Sequence, residues 1–403
     1  MKPEPNHTVR PDVVLFPLDD EVVAFSERAQ CLVSLNASAA LVVRGLQNGL
    51  STAEVEQSLV AEGMTLPEEA GAWVAAALEV AGSHGLLANG ASVAAAGTPL
   101  SDNDDSTGPP DMPDLAPYRP RLEKRYRLLG TCALIRFSAQ SQVRLVDAVI
   151  GHLVTEEDAT PTVVFDLVAT QPGDDHLHTY IYRDGQPIKY APRLSLLGPI
   201  VKACLWQCAV NAHNFLFYIH AGVVGTGKAC ALFPAAAGSG KSSLTAALVH
   251  KGFRYFSDEV ALIESSSFDV CPMPLAFCVK STGWEVIAPY FPQVLTVPTH
   301  QRGDGKIVRY FPPPPGAVQQ RTAQVTHIIF PRYDAKAASE LKPLPRAEAF
   351  RRLMDECLAL RTRLNLDQVR SVVETLSQID CFTLTFSSLD KAVELTSGAV
   401  GNP

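Results

Sequence analysis

Paired cysteines are missing from this 403-residue chain: its nine Cys, an odd number, are scattered without a C-x-x-C step, and Cys204 and Cys208 stand one helical turn apart in an apolar segment. That pattern excludes a paired-cysteine motif and predicts reduced core thiols in a cytoplasmic protein. A hydrophobic leader is missing too. Residues 1–10 are polar, and the longest apolar stretch, 194–210, is broken by Lys202, so neither targeting to a membrane nor crossing of one is expected. Charge is sparse, at 19% against 47% hydrophobic residues, a globular balance that excludes wholesale disorder.

Lys and Arg are absent from position 45 to position 118. Residues 1–93 hold 12 acidic and 4 basic side chains and residues 94–118 hold five Asp, so the chain's net −8 leaves +5 on residues 119–403. An acidic small part beside a mildly basic large one argues against general nucleic-acid binding and suits an anionic ligand on the large part. The segment 94–118, rich in Ala, Gly, Pro, Ser and Asp, reads as a flexible linker between a domain at 12–93 and a domain at 119–403.

Before the linker, β-type runs at 13–17, 21–25 and 31–35 precede three helices. Asn36 caps the first, Ser51 and Glu54 form a capping box for the second, and the third, near 68–84, sets Trp73, Ala76, Ala77 and Val80 on one side. After it, 126–137, 162–169 and 178–191 read as strands, 194–212 as a helix, and 215–224 with 229–233 as an antiparallel pair. The C-terminal part, with helices at 346–360 and 367–379 and a strand at 381–386, shows no chemical motif and is expected to be structural.

Chemistry concentrates in ALFPAAAGSGKSSLTAALV. An apolar strand, a small-residue turn and a helix opened by Lys241, Ser242 and Ser243 describe a phosphate cradle. The amides of Ala236, Ala237, Gly238, Ser239 and Gly240 can approach oxygens closely, the helix N-terminus adds positive potential, Lys241 can reach the β- and γ-phosphates, and Ser242 can ligate magnesium. A lysine in a first helical turn opposes the helix dipole unless an anion is bound. Ala235 stands where the strict G-x-x-x-x-G-K-[ST] pattern has glycine. One helix later, Asp258 and Glu259 interrupt a strand-like run over 252–263; such a pair can hold magnesium and accept a proton from an attacking hydroxyl.

On His220-Ala221-Gly222, the loop Ala235 to Ser242, and Asp258-Glu259, in that order and spacing, the large part resembles the HPr kinase family, whose nucleotide site is related to that of phosphoenolpyruvate carboxykinases. The resemblance covers residues 215–265. It implies an α/β kinase domain with a mixed sheet, ATP and Mg2+ as cofactors, Asp258 as general base, Glu259 as a magnesium-side carboxylate and His220 as a neighbour of the reacting phosphate. Ala235 and Ala237 depart from the family's Gly and Ser, and its E-x-R-G-x-G signature is absent, which argues against HPr as substrate. Lys280, Lys306 and Arg309 are candidate anion ligands for the substrate.

Residues 12–90, through Leu35-Asn36 and Gly49-Leu50-Ser51, resemble the small α+β, winged-helix-like PqqD family, the recognition element of ribosomal peptide modification. That resemblance implies a leader peptide added as an extra strand along Cys31, Leu32, Val33, Ser34 and Leu35 and packed on the third helix. The joint expectation is a kinase acting on a Ser or Thr of a precursor peptide that the flexible linker delivers intramolecularly. Related kinases often form ring assemblies, so a homo-oligomer stays open. Two alternatives also stay open: a kinase of a small metabolite such as free serine, and a nucleotide-gated peptide chaperone without transfer, for which Ala235 and Ala237 are the motive.

Overall fold

The computed structural model describes residues 7–88, 118–157, 159–169, 178–265, 267–360 and 363–403. The linker expected over 94–118 lies, apart from Tyr118, outside the described residues. The architecture is mixed α/β, with two sheets that combine parallel and antiparallel strands among five in all.

The first sheet is the antiparallel meander Val13–Leu18, Glu21–Ser26, Cys31–Leu35, followed by helices Ala37–Gln47, Thr52–Ala61 and Ala70–Ser83. Asn36 caps through a bond from the Ala39 amide, and Ser51 and Glu54 close the expected box. The third helix is turned relative to expectation. It buries Ala70, Val74, Ala77 and Ala81, while Trp73 and Val80 are 40% and 38% exposed. The first two helices meet it with the branched side chains of Val42, Val55 and Leu59, so the small-residue stripe of Val74 and Ala77 approaches them and the bulky Trp73 stays outside.

This sheet is seated on the large part rather than hanging from it. Phe16, Leu18, Val23 and Phe25 share one apolar core with Phe350, Leu353, Val369, Val372 and Val373 of helices Arg346–Asp355 and Leu366–Leu376. Polar contacts rim that core. Arg346 binds Asp19 at 3.1 Å, Arg351 pairs with Glu21 and donates to Ser34 at 3.2 Å, and Gln30 exchanges two 2.8 Å bonds with the Leu364 main chain.

In the large part, a six-stranded sheet runs Arg254–Ser257, Ala221–Gly225, Cys230–Pro234, His327–Tyr333, Asp380–Phe386, Glu340–Pro343. Helices Lys241–His250 and Leu389–Val400 cover it through Leu244, Leu248, Ala392 and Val393. A second, five-stranded sheet contains Ala261–Glu264, Phe215–Ile219 and Cys357–Leu360. The run 215–224 is therefore two strands, not one: the chain leaves one sheet and enters the other at His220. The run 252–263 makes the same crossing at 258–260. Register is continuous through the bend, with Ile219 facing Ala261 on one side and Val223 facing Ser257 on the other. One bent two-stranded ladder thus carries His220 and the carboxylate pair to a single corner.

A third large-part sheet, Leu122–Leu128 to Gln186–Ala191, is covered by helices Gln140–Ile150 and Leu194–Asn211. Leu194–Asn211 is, among the described residues, the helix long and apolar enough to cross a membrane. Here Leu197, Val201, Leu205 and Ala209 are buried in the core of that layer.

Candidate active site

The loop is built by two left-handed glycines, Gly238 at φ 98° and Gly240 at φ 90°, a conformation that costs side-chain-bearing residues free energy. Gly240 is needed for space as well, because a Cβ there would come within 2.6 Å of the Phe386 ring. Ala236, Ala237 and Gly238 form an exposed crest, Ser242 and Ser243 are half-buried in the first helical turn, and Lys241 is buried beneath them. The Lys241 ammonium donates back to the Ala235 carbonyl at 3.2 Å, and burial pulls its pKa down to about 8 although Asp258, Glu356 and Glu259 oppose that. Gly222 explains the His220-Ala221-Gly222 step: a Cβ there would lie 2.2 Å from Thr245 Oγ1 and 3.3 Å from Lys241 Cγ, so only glycine lets the helix close on the strand. The Ser239 hydroxyl is buried without a partner, and its carbonyl accepts from the Tyr333 amide at 3.1 Å.

At the bend, the Ser257 hydroxyl accepts from the amides of Glu259 and Val260 at 3.3 and 3.2 Å, a side-chain turn that throws both carboxylates into the corner. Asp258 is 2% exposed. Its carboxylate accepts from the Cys278 amide at 3.2 Å and lies 3.4 Å from the Tyr255 hydroxyl, whose stronger bond goes to Leu275 O at 2.7 Å. Burial first, and then the charge of Glu259, push Asp258 up to about 6. Burial also acts to raise Glu259, but Lys202, bonded to it directly, and Arg302 hold it below the usual range. Lys202 keeps its proton despite burial because Glu259 is there.

His220 stands over the same corner. Its amide donates to Glu356 O at 2.8 Å, its carbonyl accepts from the Ala235 amide at 3.4 Å, and Nδ1 is 3.4 Å from the Glu356 carboxylate. Burial, then Lys241, drives its pKa down to about 4, so the imidazole is neutral at pH 7. The same burial raises Glu356.

The loop with Lys241, His220, Asp258 and Glu259 thus lie about one corner of the molecule. Arg309 does not join them. Lys280 faces Val308 across the strand pair Phe277–Lys280 and Ile307–Phe311, whereas Arg309 faces Val279, which turns it to the other side of the sheet. There its guanidinium lies 4.0 Å over Trp284 and donates to Val294 O at 2.9 Å. Lys306 is tied to Asp304 at 2.7 Å. Three site residues escaped the sequence reading. Lys202 gave a signal, a lone cation in an apolar helix; Glu356 lies in the C-terminal part expected to be purely structural, where the helix ends at Asp355 and strand Cys357–Leu360 begins; Arg302 sits in a polar turn.

The residues fit a nucleotide phosphate: an exposed loop turned by two glycines, an unpartnered serine hydroxyl and a buried cation fall together within residues 236–241. Among the described residues no three His, Cys, Asp or Glu side chains cluster as a protein-only metal site. Magnesium that keeps phosphate and water ligands needs just one or two carboxylates, which the corner has. A cavity of about 780 Å3 lies at the far end of helix Lys241–His250, lined by His250, Tyr290, Asp390 and Glu394, away from this chemistry. The chain matches no protein-family model and no curated protein.

Proposed function

We propose that this chain is an ATP-dependent kinase of the HPr kinase-related kind, joined to a PqqD-like recognition domain, and that it phosphorylates a Ser or Thr hydroxyl of a ribosomally made precursor peptide. The observation that carries this reading is that Lys241, at the head of a glycine-turned loop, and the buried Asp258, held on the Cys278 amide and pushed up to about 6, stand near enough to feel each other's charge. A general base is most effective when its pKa lies near the working pH.

In this reading the amides from Ala236 to Ser243 and the Lys241 ammonium hold the β- and γ-phosphates. Ser242 and an oxygen of Glu259 or Asp258 would hold magnesium, which when bound offsets charge on those phosphates. Asp258, mostly ionised at pH 7, takes the proton of the acceptor hydroxyl. As it does, the acceptor oxygen bonds to the γ-phosphorus and the bond from that phosphorus to its bridging oxygen breaks, so ADP departs. Neutral His220 adds no competing positive charge beside Lys241. The edge of Cys31–Leu35, which among the described residues pairs only with Glu21–Ser26, offers main-chain groups to an extended leader, and Trp73 and Val80 offer apolar surface. Because that sheet is seated on the large part, delivery rests on a docked recognition domain rather than on linker reach.

The test is incubation of the full chain with γ-labelled ATP, magnesium and candidate precursor peptides that carry Ser or Thr. Stoichiometric label on a Ser or Thr is expected; nucleotide binding without label would leave a nucleotide-gated binder. A second reading, a small-acceptor kinase such as one for free serine with a regulatory first domain, is favoured by one contact path. Arg351 touches the first sheet, and Glu356, at the end of the same helix, touches His220. Label on free serine in the same assay separates the two.

A further inference from the structure

We propose that Lys280, Arg302 and Lys306 form an anion-binding rim that selects an acidic acceptor, a peptide segment carrying carboxylates beside the hydroxyl to be modified. This rests on the kinase reading for what the bound segment is used for, but not for the binding itself.

Strand Phe277–Lys280 pairs with Ile307–Phe311, which pairs on its other side with Thr299–Gln301. Lys280 faces Val308 and Gln301 faces Ile307, so Lys280 and the turn from Arg302 to Lys306 occupy the same end of this small sheet. That end adjoins the catalytic corner: Arg302 contributes to the fields at Glu259 and His220, and Lys280 to those at His220 and Lys241. Beside these three cations stand two acids, Asp304 and Glu259, and Glu259 is already bonded to Lys202, so positive charge is in excess. Asp304 lies 2.7 Å from the Lys306 ammonium and 3.5 Å from Arg302 Nε, while Lys280 has no ion pair or hydrogen bond among the described residues. Burial and the nearby charges of Lys306 and Arg302 both work against the Lys280 ammonium.

A surplus of like charge is unfavourable, and a cleft with an excess of one sign draws a ligand of the other. In the kinase reading the loop with Lys241 holds the nucleotide, so the rim, set on the carboxylate side, is left for the acceptor. A guanidinium and two ammonium groups suit carboxylates through charge-assisted bonds. A nucleic-acid backbone fits less well, because two cations on one short turn and a third at a neighbouring strand end make no basic stripe and the whole chain is at −8.

The test uses short fluorescent peptides with one serine flanked by Glu, by Gln or by Lys, titrated onto the full chain with magnesium and a non-hydrolysable ATP analogue. Transfer from γ-labelled ATP is measured in parallel. Expected is a preference of about tenfold for the Glu-flanked over the Gln-flanked peptide, weakening with salt. Lys280→Gln and Arg302→Gln should each bring the Glu-flanked peptide toward the Gln-flanked value, and Lys306→Gln less so, since Asp304 already engages it. Equal binding of Glu- and Gln-flanked peptides overturns the rim, as does a preference that survives both substitutions or tighter binding of a single-stranded oligonucleotide. A Glu preference without label on any serine keeps the rim and defeats the kinase reading; label without preference does the reverse.

Discussion

Asp258 sits in a dry pocket between the Cys278 amide and Tyr255, whereas Glu259, one residue along the chain, faces Lys202 and Arg302 with 36% of its side chain open to solvent. The first is pushed up to about 6 and the second is held below the usual range. Residue type does not account for that split. A bend in a two-stranded ladder points successive side chains into different surroundings, and the surroundings divide the work: a carboxyl able to take a proton and a carboxylate that stays charged. The largest effect should come from removing the proton acceptor. Asp258→Asn is expected to lower transfer by about a thousandfold while nucleotide affinity changes little, read by single-turnover labelling beside fluorescent-nucleotide titration. Retained transfer would end the division of roles.

The two carboxylates should also tilt stability in opposite directions with pH. Asp258 binds its proton more tightly folded, at about 6, than at its ordinary 3.8, so its contribution to stability is full below about 4 and is lost as pH rises through 6. Glu259, held low, contributes above its ordinary 4.5 and loses that contribution as pH falls. Relative to Asp258→Asn, the native chain should therefore lose on the order of 3 kcal/mol of unfolding free energy between pH 4 and pH 7, measured by urea denaturation at each pH. A flat difference would place Asp258 in water.

Much of this corner could be read from the sequence because its signals are local. Two glycines and a lysine at the head of a helix, the Gly222 step and the Asp258-Glu259 pair each fall within a few residues. The bend could not be read: His220 and Ser257-Asp258-Glu259 break otherwise apolar runs, but a polar break does not say whether a strand ends, turns or passes into another sheet. Glu356 reaches His220 from 136 positions away, and Lys202 reaches Glu259 from 57 positions away. Periodicity also misjudged helix Ala70–Ser83, where alanine and larger apolar residues ring most of the circumference, so hydrophobicity alone could not choose the face that the neighbouring helices accept. Arg309 failed for a related reason: strand alternation, fixed by pairing partners, decides which side a cation takes.

Lys202 holds the Glu259 half of the contrast in place. Lys202→Met leaves a carboxylate without its partner in a corner that is only partly wet. Breaking a fully buried pair costs about 3–5 kcal/mol, and solvent access to Glu259 should reduce that to about 1–3 kcal/mol, measured by chemical denaturation at pH 7. The double variant Lys202→Met, Glu259→Gln should recover part of the loss, because no unpaired charge remains. Full additivity would mean that the pair does not act as a unit.

The smallest effect tests whether the halves communicate. Burial is the main reason Asp258 is raised, and the Glu259 charge is the second. Glu259→Gln removes the second cause and leaves the first, so the acid limb of transfer against pH should move below about 6 without returning to the position of an exposed aspartate. Saturating magnesium keeps any lost metal affinity out of the profile. An unmoved limb would assign the whole shift to burial, and the two carboxylates would then be neighbours in the chain without being coupled in their titration.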